Sequence, residues 1–561
     1  MTAGVTTPGT RWRRVGDVEV PAAVLAVLPE PAAGVVVGGA GGVAWSTPDG
    51  SWGAGDPGIG AVAALARAGG ALLAGGAGGI ARSADDGRTW RRAVLHGVAA
   101  PVTALASTGR DLLAGTLGTG VLRSADAGRT WAPAAFGLAS HDVSALAVVD
   151  DQTLIAGTDD GVHLSPNAGR AWRQVAGTAG VRVTALAVSG SVTWALAEAG
   201  EVLASADGGR SWTRRGSLPP DAQPSSLVSA GDVVLVATAT GVLRSADGGE
   251  TWAGVHAEPA LCLGRGAGGE LLAGTGTGLV ASDDGGLTWS PLGSAPPVHD
   301  VAGLVVAGDE VLAYGPMSGV VRCLAGEPAG GAPYPVAVVA AGPDGVVLAA
   351  GPDGLARSAD EGRSWTTVLP GEPGFVTVLA PAGPGSWWAA SADGARVLRS
   401  ADDGRTWDAD PSPWGTAAVL ALATRADTVL AATYDASGAA VDLWRRLAGG
   451  AWSHSGRVPA PRPSVQLSLD PPAAVFDGRW VYGDEGRWRP GDGPGGRLRR
   501  LTGAGDRLVA LTDVVLAESA DRGRTWTLVD GVEAAGVVDV VASRTAVTLL
   551  TRSGELWTTP G

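Results

Sequence analysis

One eight-residue sentence recurs along this chain: Ser-x-Asp-x-Gly-Arg-Thr-Trp, with small variations. The first clear copy runs through Ser83, Asp85, Gly87, Thr89 and Trp90. Eight more end at Trp131, Trp172, Trp212, Trp252, Trp289, Trp365, Trp407 and Trp526. From Trp90 the next four fall 41, 41, 40 and 40 residues apart. A period near 40 marks a repeat protein with one supersecondary unit per repeat, and it points to propeller blades. The wider gaps, 76 residues from Trp289 to Trp365 and 119 from Trp407 to Trp526, hold two and three units with degenerate boxes between.

Each unit carries three short apolar runs before the box. One example is Val102 to Ala106, then Asp111 to Thr116, then Gly120 to Arg123. Short apolar runs bounded by Gly and Asp read as strands, and no stretch has the length and caps of a helix. Fourteen strand triplets are expected between Ala22 and Trp557. An outer strand follows each box tryptophan. Residues 10–17 read as an outer strand with no blade before it, and Gly554 to Trp557 as a third strand with no outer strand after it. Residues 10–17 are therefore expected to pair with 554–558, which would also cover open strand edges. Since single propellers usually carry four to eight blades, the predicted fold is all-β: two seven-bladed propellers of four-stranded blades, residues 1–295 and 296–561. The cut shifts by one blade if the closing blade belongs to the first ring.

The box itself is built for a turn. Ser and Asp bond nearby backbone N–H groups, Gly supplies positive φ, and Trp buries a large ring with one N–H donor. The box aspartates (Asp85, Asp126, Asp207, Asp247, Asp284, Asp360, Asp402 and Asp521, with Asn167 in the third copy) are thus expected as staples docking one blade on the next rather than as ligand sites. This pattern resembles the Asp-box, or BNR repeat, of sialidases, two-propeller xyloglucanases, sortilin-type receptor propellers and photosystem II assembly factors. The resemblance covers essentially the whole chain. It implies a propeller fold and leaves activity open.

Composition narrows the function. Acidic residues number 55 against 41 basic, a net charge of −14, and all the basic residues are arginine. That balance disfavours a nucleic-acid or anionic-membrane role. Arg497, Arg499 and Arg500 are a local exception, expected as a solvated strand edge. The scarcity of Lys, Asn, Ile, Phe and Tyr suggests a GC-rich bacterial genome. No run of about 18 apolar residues marks a membrane span. Two cysteines, Cys262 and Cys323, make no disulfide framework and read as small buried apolar residues. No signal peptide is read at the N-terminus, so the expected location is the cytoplasm, with leaderless export as the alternative.

Enzymatic readings find few residues. The Arg-Ile-Pro motif that a sialidase resemblance requires is missing, and Tyr314, Tyr334, Tyr434 and Tyr482 have no evident partner glutamate. A xyloglucanase-type mechanism needs two carboxylates, and that family uses large loops lining a cleft between its rings; here the turns are as short as Gly76 to Gly79. Asp159, Asp160, Asp353, Asp435 and Asp477 are candidate acids, though turn aspartates have local uses. His141-Asp142 and His299-Asp300 each precede a first strand, where they either cap a turn or orient a ligand. No cofactor or metal motif is found, since two residues do not hold a metal. Trp387-Trp388, Trp414, Trp444 and Trp480 lie outside the boxes, near degenerate boxes at residues 323–330, 444–452 and 480–488. Exposed tryptophans anchor partners or sugars, and buried ones fill cores. Trp414 and Trp444 are the named anchor candidates. The reading is a non-catalytic scaffold for a protein partner or larger assembly. The alternative is a glycoside hydrolase or glycan-binding protein of the two-propeller xyloglucanase type.

Overall fold

The computed structural model describes the chain apart from residues 1–11, 18–22, 31–33, 48–49, 97–99, 110, 231–232, 267, 294–295, 297–299, 309, 317–318, 324–326, 329–335, 353, 371–375, 392–396, 416, 426–427, 436, 438–439, 448–449, 460–464, 470–471, 477–478, 485–486, 505–506, 530, 544–545, 552–553 and 560–561. The described residues form strands, joined by turns and one 3-10 turn at Ala534–Gly536. Strands follow one another in antiparallel meanders of four. A representative sheet holds Val143–Val148, Leu154–Thr158, Gly161–Ser165 and Arg173–Gln174 in that order. Its first strand alternates buried and half-buried residues, and its second is buried throughout. Sandwiching between two neighbouring sheets explains the second strand, because both faces lose water and the sequence runs apolar rather than alternating. A register irregularity between Val143 and Ala145 bends the first strand, and the same irregularity recurs at Val102/Ala104 and Val183/Ala185.

The chain divides into two compact units, one of Pro21–Asp300 and one of Met1–Val20 with Val301–Gly561. In the first, the described strands make seven sheets, whose first strands begin at Val24, Val62, Val102, Val143, Val183, Pro224 and Ala260. The third sheet gains a short parallel strand, Val94–Leu95, which pairs with Thr130 and Trp131. The last sheet packs back on the first: Cys262 Sγ donates to the Val24 carbonyl at 3.4 Å, and Cys262, Leu272 and Leu279 share a core with Val24, Val35 and Val37. In the second unit, seven sheets begin at Gly303, Val338, Val376, Ala418, Val465, Leu498 and Val537. The outer strand of the last is Arg13–Asp17, with Arg13 opposite Thr558 and Asp17 opposite Glu555. Trp12 is buried in that sheet's core beside Val547, Leu549 and Trp557. Here too the last sheet meets the first, through the Leu304 N–H donating to Asp539 Oδ2 at 2.7 Å.

Candidate functional site

The boxes come first, because they supply most of the chain's organised polar groups. Ser83 Oγ donates to Asp85 Oδ1 at 2.7 Å and accepts the Gly87 N–H at 2.8 Å. Asp85 also accepts the Thr89 N–H and hydroxyl, at 2.8 and 2.6 Å. Trp90 Nε1 donates to the Gly87 carbonyl at 2.8 Å. The same aspartate–threonine or aspartate–serine pair recurs at Asp126, Asp207, Asp247, Asp284, Asp360, Asp402 and Asp521. Asn167 accepts three donors but lacks the last hydroxyl, because Ala171 stands there. Its tryptophan, Trp172, bonds the Ala134 carbonyl instead of its own loop. These donors hold Asp85, Asp402 and Asp521 down at about 2, the threonine hydroxyl contributing most.

Each box docks on the sheet before it. A Cβ on Gly128 would lie 2.4 Å from Leu73 Cδ2, and one on Gly169 would lie 2.3 Å from Leu113 Cδ2, so only glycine fits. The residue before that glycine has positive φ even where it is not glycine: 57° at Asp86, 56° at Ala127 and 64° at Arg522. Its carbonyl turns outward and receives an arginine of the preceding sheet. Arg82 Nε reaches the Ala127 carbonyl at 2.9 Å, Arg244 Nε that of Gly285 at 2.9 Å, and Arg357 Nε that of Asp403 at 2.6 Å. Serine, aspartate and arginine are therefore spent on holding sheets together.

The other candidates divide. Asp142 Oδ1 accepts the Gly118 N–H at 2.7 Å, and the His141 carbonyl accepts Gly118 and Gly120 at 3.1 and 2.9 Å, so this pair caps a turn of the neighbouring sheet. Asp300 is fully buried, and His299 lies outside the described residues, as do Asp353, Asp477 and Tyr334. Asp160 Oδ1 accepts the Gly180 N–H at 2.9 Å, and the Asp159 N–H donates to the Asp142 carbonyl at 3.3 Å. Asp435 pairs with Arg457 at 2.5 Å and bonds Ser437. Tyr434 is half-buried within its sheet. Tyr482 donates to the Asp492 carbonyl and accepts Trp526 Nε1, with its phenol pushed up to about 12 by burial. Both cysteines are buried thiols, likewise pushed up to about 12 by desolvation.

Two expectations need correction. The arginine trio is not a solvated edge. Arg499 donates to the carbonyls of Ala534, Val537 and Val538 at 3.1, 2.8 and 3.2 Å. Arg500 lies 3.5 Å from the buried Asp539, whose carboxyl is raised by desolvation against the pull of Arg500. Tyr314 is buried beside the same arginine. Only Arg497 is exposed. Nor are Trp414 and Trp444 presented to solvent. Trp414 is 9% exposed and packs on Trp444 and Trp452 at ring distances of 5.5 and 4.9 Å. Trp444 is half-buried and donates to Thr433 Oγ1. Trp387, Trp388 and Trp480 are buried too. Trp414, Trp444 and Trp452 thus fill the joint of the one sheet whose box is lost there, whereas Trp480 packs on the box ring Trp526 at 5.3 Å. Sequence reasoning missed Asp410, Arg446 and Trp452, which meet at that joint; the tryptophan closing the degenerate segment 444–452 was the available signal.

Among the described residues no three His, Cys, Asp or Glu gather as a metal site. Among the described residues no helix is long and apolar enough to cross a membrane. No family model and no curated protein matches the chain. Solved structures do. A GH74 xyloglucanase from Xanthomonas campestris superposes with a TM-score of 0.61 at 18% identity, covering 98% of this chain and 100% of that one. This is a β-propeller fold. An ancestral GH74 enzyme matches with a TM-score of 0.53 at 14% identity, covering 98% of each chain. At such identities the likeness concerns the propeller fold alone, and what this chain does must come from its own residues.

Proposed function

We propose that this chain is a non-catalytic pair of closed seven-bladed propellers that holds a protein partner or takes a fixed place in a larger assembly. The supporting observation is the local engagement of the candidate acids: Asp142 and Asp160 cap turns, and Asp435 is paired with Arg457. Glycoside hydrolysis needs one carboxyl held protonated and a second one free to act across the scissile bond. Carboxylates tied to backbone N–H groups and arginine suit neither role. Short turns on a stiff frame instead present a preformed face, which suits recognition. The sheets with degenerate boxes are the proposed docking region, in which Trp414 and Trp444 shape the joint beneath the contact. His141 and Asp142 hold the shape of their face in the same way. The proposed setting is a reducing compartment, in keeping with two buried free thiols. Affinity capture with the whole protein, followed by cross-linking, tests the proposal. A partner of constant stoichiometry is expected, and capture of polysaccharide without protein would overturn it.

The alternative is a glycoside hydrolase or glycan-binding protein, favoured by the full-length superposition on a xyloglucanase. Incubation with xyloglucan and related β-glucans distinguishes the two. Release of reducing ends, lost on substitution of a single aspartate, would install the enzymatic reading.

A further inference from the structure

At Gly128, Gly169, Gly209, Gly286, Gly362 and Gly404 the glycine of the box seats against the same second-strand position of the preceding sheet. Leu73 holds it opposite Arg82, and Leu348 holds it opposite Arg357. In the third sheet of the Val301–Gly561 unit, the residue in that register is Trp388, opposite Arg399. A tryptophan fills the seat, and the fourth sheet has no box to put there. In its place the fourth sheet sends Arg446. Its guanidinium carbon lies 5.0 Å from the Trp388 ring centre and 6.0 Å from that of Trp452. The two rings stand edge to face, 5.8 Å apart at 80°. Asp410, on the outer strand of the third sheet, is ion-paired with Arg446 through Oδ2 and accepts Trp452 Nε1 at 2.9 Å through Oδ1. The Arg446 Nε donates to the Gly450 carbonyl at 2.8 Å. The arginine side chain is 16% exposed and the aspartate 7%. Arg399 also lies over Trp388, at 5.9 Å.

Aromatic faces within about 6 Å of a guanidinium, plus a carboxylate at its edge, are the elements that recognise a planar cation. Lysine does not reproduce them, because its ammonium has no plane to stack and no fork to pair. We propose that Trp388, Trp452 and Asp410 form a guanidinium-binding site, and that Arg446 is its ligand, supplied in cis where the Asp box has been lost. The site belongs to the two sheets and not to the arginine. Emptied of Arg446, it takes a free guanidinium ion from solution.

Thermal unfolding of the whole protein tests this with guanidinium chloride at millimolar concentration, far below denaturing levels, and sodium chloride as the ionic-strength control. Arg446→Ala should melt below wild type and should recover part of the loss as guanidinium is added, following saturation binding to the native state. Methylguanidinium should act likewise and sodium should not. Wild type should show no gain, because its site is filled. Arg446→Ala combined with Asp410→Asn should lose the rescue. Arg446→Lys should stay destabilised despite its charge. Equal response to sodium and guanidinium, or rescue persisting without Asp410, overturns the proposal. If Arg446→Ala does not fold, refolding yield with guanidinium against sodium is read instead, and equal yields overturn it.

Discussion

The two units build the same sheet in the same order, yet fasten neighbours by different chemistry. In Pro21–Asp300, six of the seven sheets carry a box, five with aspartate and one with Asn167 in its place. Among the described residues of the other unit, the sheets with Asp360, Asp402 and Asp521 do. There the vacated joints hold tryptophans packed edge to face, the Asp410–Arg446 pair and the buried Arg500–Asp539 pair. A box glycine leaves room for one apolar side chain of the preceding sheet, leucine at Gly128, Gly169 and Gly286, isoleucine at Gly209 and valine at Gly249, so a run of boxes repeats one kind of joint. Rings and charges fill joints of varied shape, and each must be satisfied individually.

The largest effects should come from the rings. Trp131 is fully buried among Leu73, Ile80 and Leu122, and Trp131→Ala should cost about 3–5 kcal/mol. Trp414→Ala, in the other unit, should cost a similar amount because that ring is as much core as a box tryptophan. Thermal or denaturant unfolding measures both. A Trp414→Ala protein that melts with wild type would return this residue to the role of a surface anchor.

Next comes the buried charge. Arg500→Ala leaves Asp539 without its cation, and breaking such a pair costs about 3–5 kcal/mol. Replacing both residues together, Arg500→Met with Asp539→Leu, should restore most of that loss. Hydrogen exchange should place the single variant's effect in Val301–Gly561. Equal loss in the single and double variants would mean that packing, not charge, closes this unit.

The repeat was legible because its residues are local: Ser83, Asp85, Gly87 and Trp90 bond one another within eight positions, so their spacing is their structure. The strand order followed from the period, and the outer strand near residues 13–17 followed from a missing piece at the other end of the chain. The fate of Arg500 was hidden because Asp539 lies in the next sheet and Tyr314 in another. The burial of Trp414 was left open for the same reason. Its partners, Trp444 and Trp452, are distant in sequence, and composition does not say whether a ring faces water or a neighbour.

Acid should separate the units. An aspartate held below its usual value stabilises the fold above about pH 4, and that contribution fades as pH falls through the folded value. Among the described residues six such aspartates lie in Pro21–Asp300: Asp85 and Asp126 at about 2, with Asp150, Asp207, Asp247 and Asp284 also held below the usual range. The other unit has three, Asp360, Asp402 and Asp521, each at about 2. It also has Asp539, whose raised carboxyl has the opposite sign, since the folded chain takes up that proton first. Between about pH 4 and pH 2, hydrogen exchange should show Pro21–Asp300 losing protection faster. Earlier loss in Val301–Gly561 would break the comparison.

The smallest effect separates docking from backbone conformation within one box. Gly208 and Gly209 both have positive φ, 71° and 84°. A Cβ on Gly209 would meet Ile155 Cδ1 at 2.4 Å in the preceding sheet, whereas one on Gly208 would meet the end of the Arg210 side chain at 3.1 Å and Val149 Cγ1 at an ordinary 3.7 Å. The position of Gly208 is held elsewhere by Asp86, Ala127, Glu361 and Arg522 at the same φ, so the left-handed backbone by itself accepts a side chain. Gly209→Ala should therefore cost about 1–3 kcal/mol through overpacking and strain, and Gly208→Ala about 1 kcal/mol or less. Equal losses would mean that the box selects glycine for its dihedral angle. The expected inequality means that the box selects it to leave room for the neighbouring sheet.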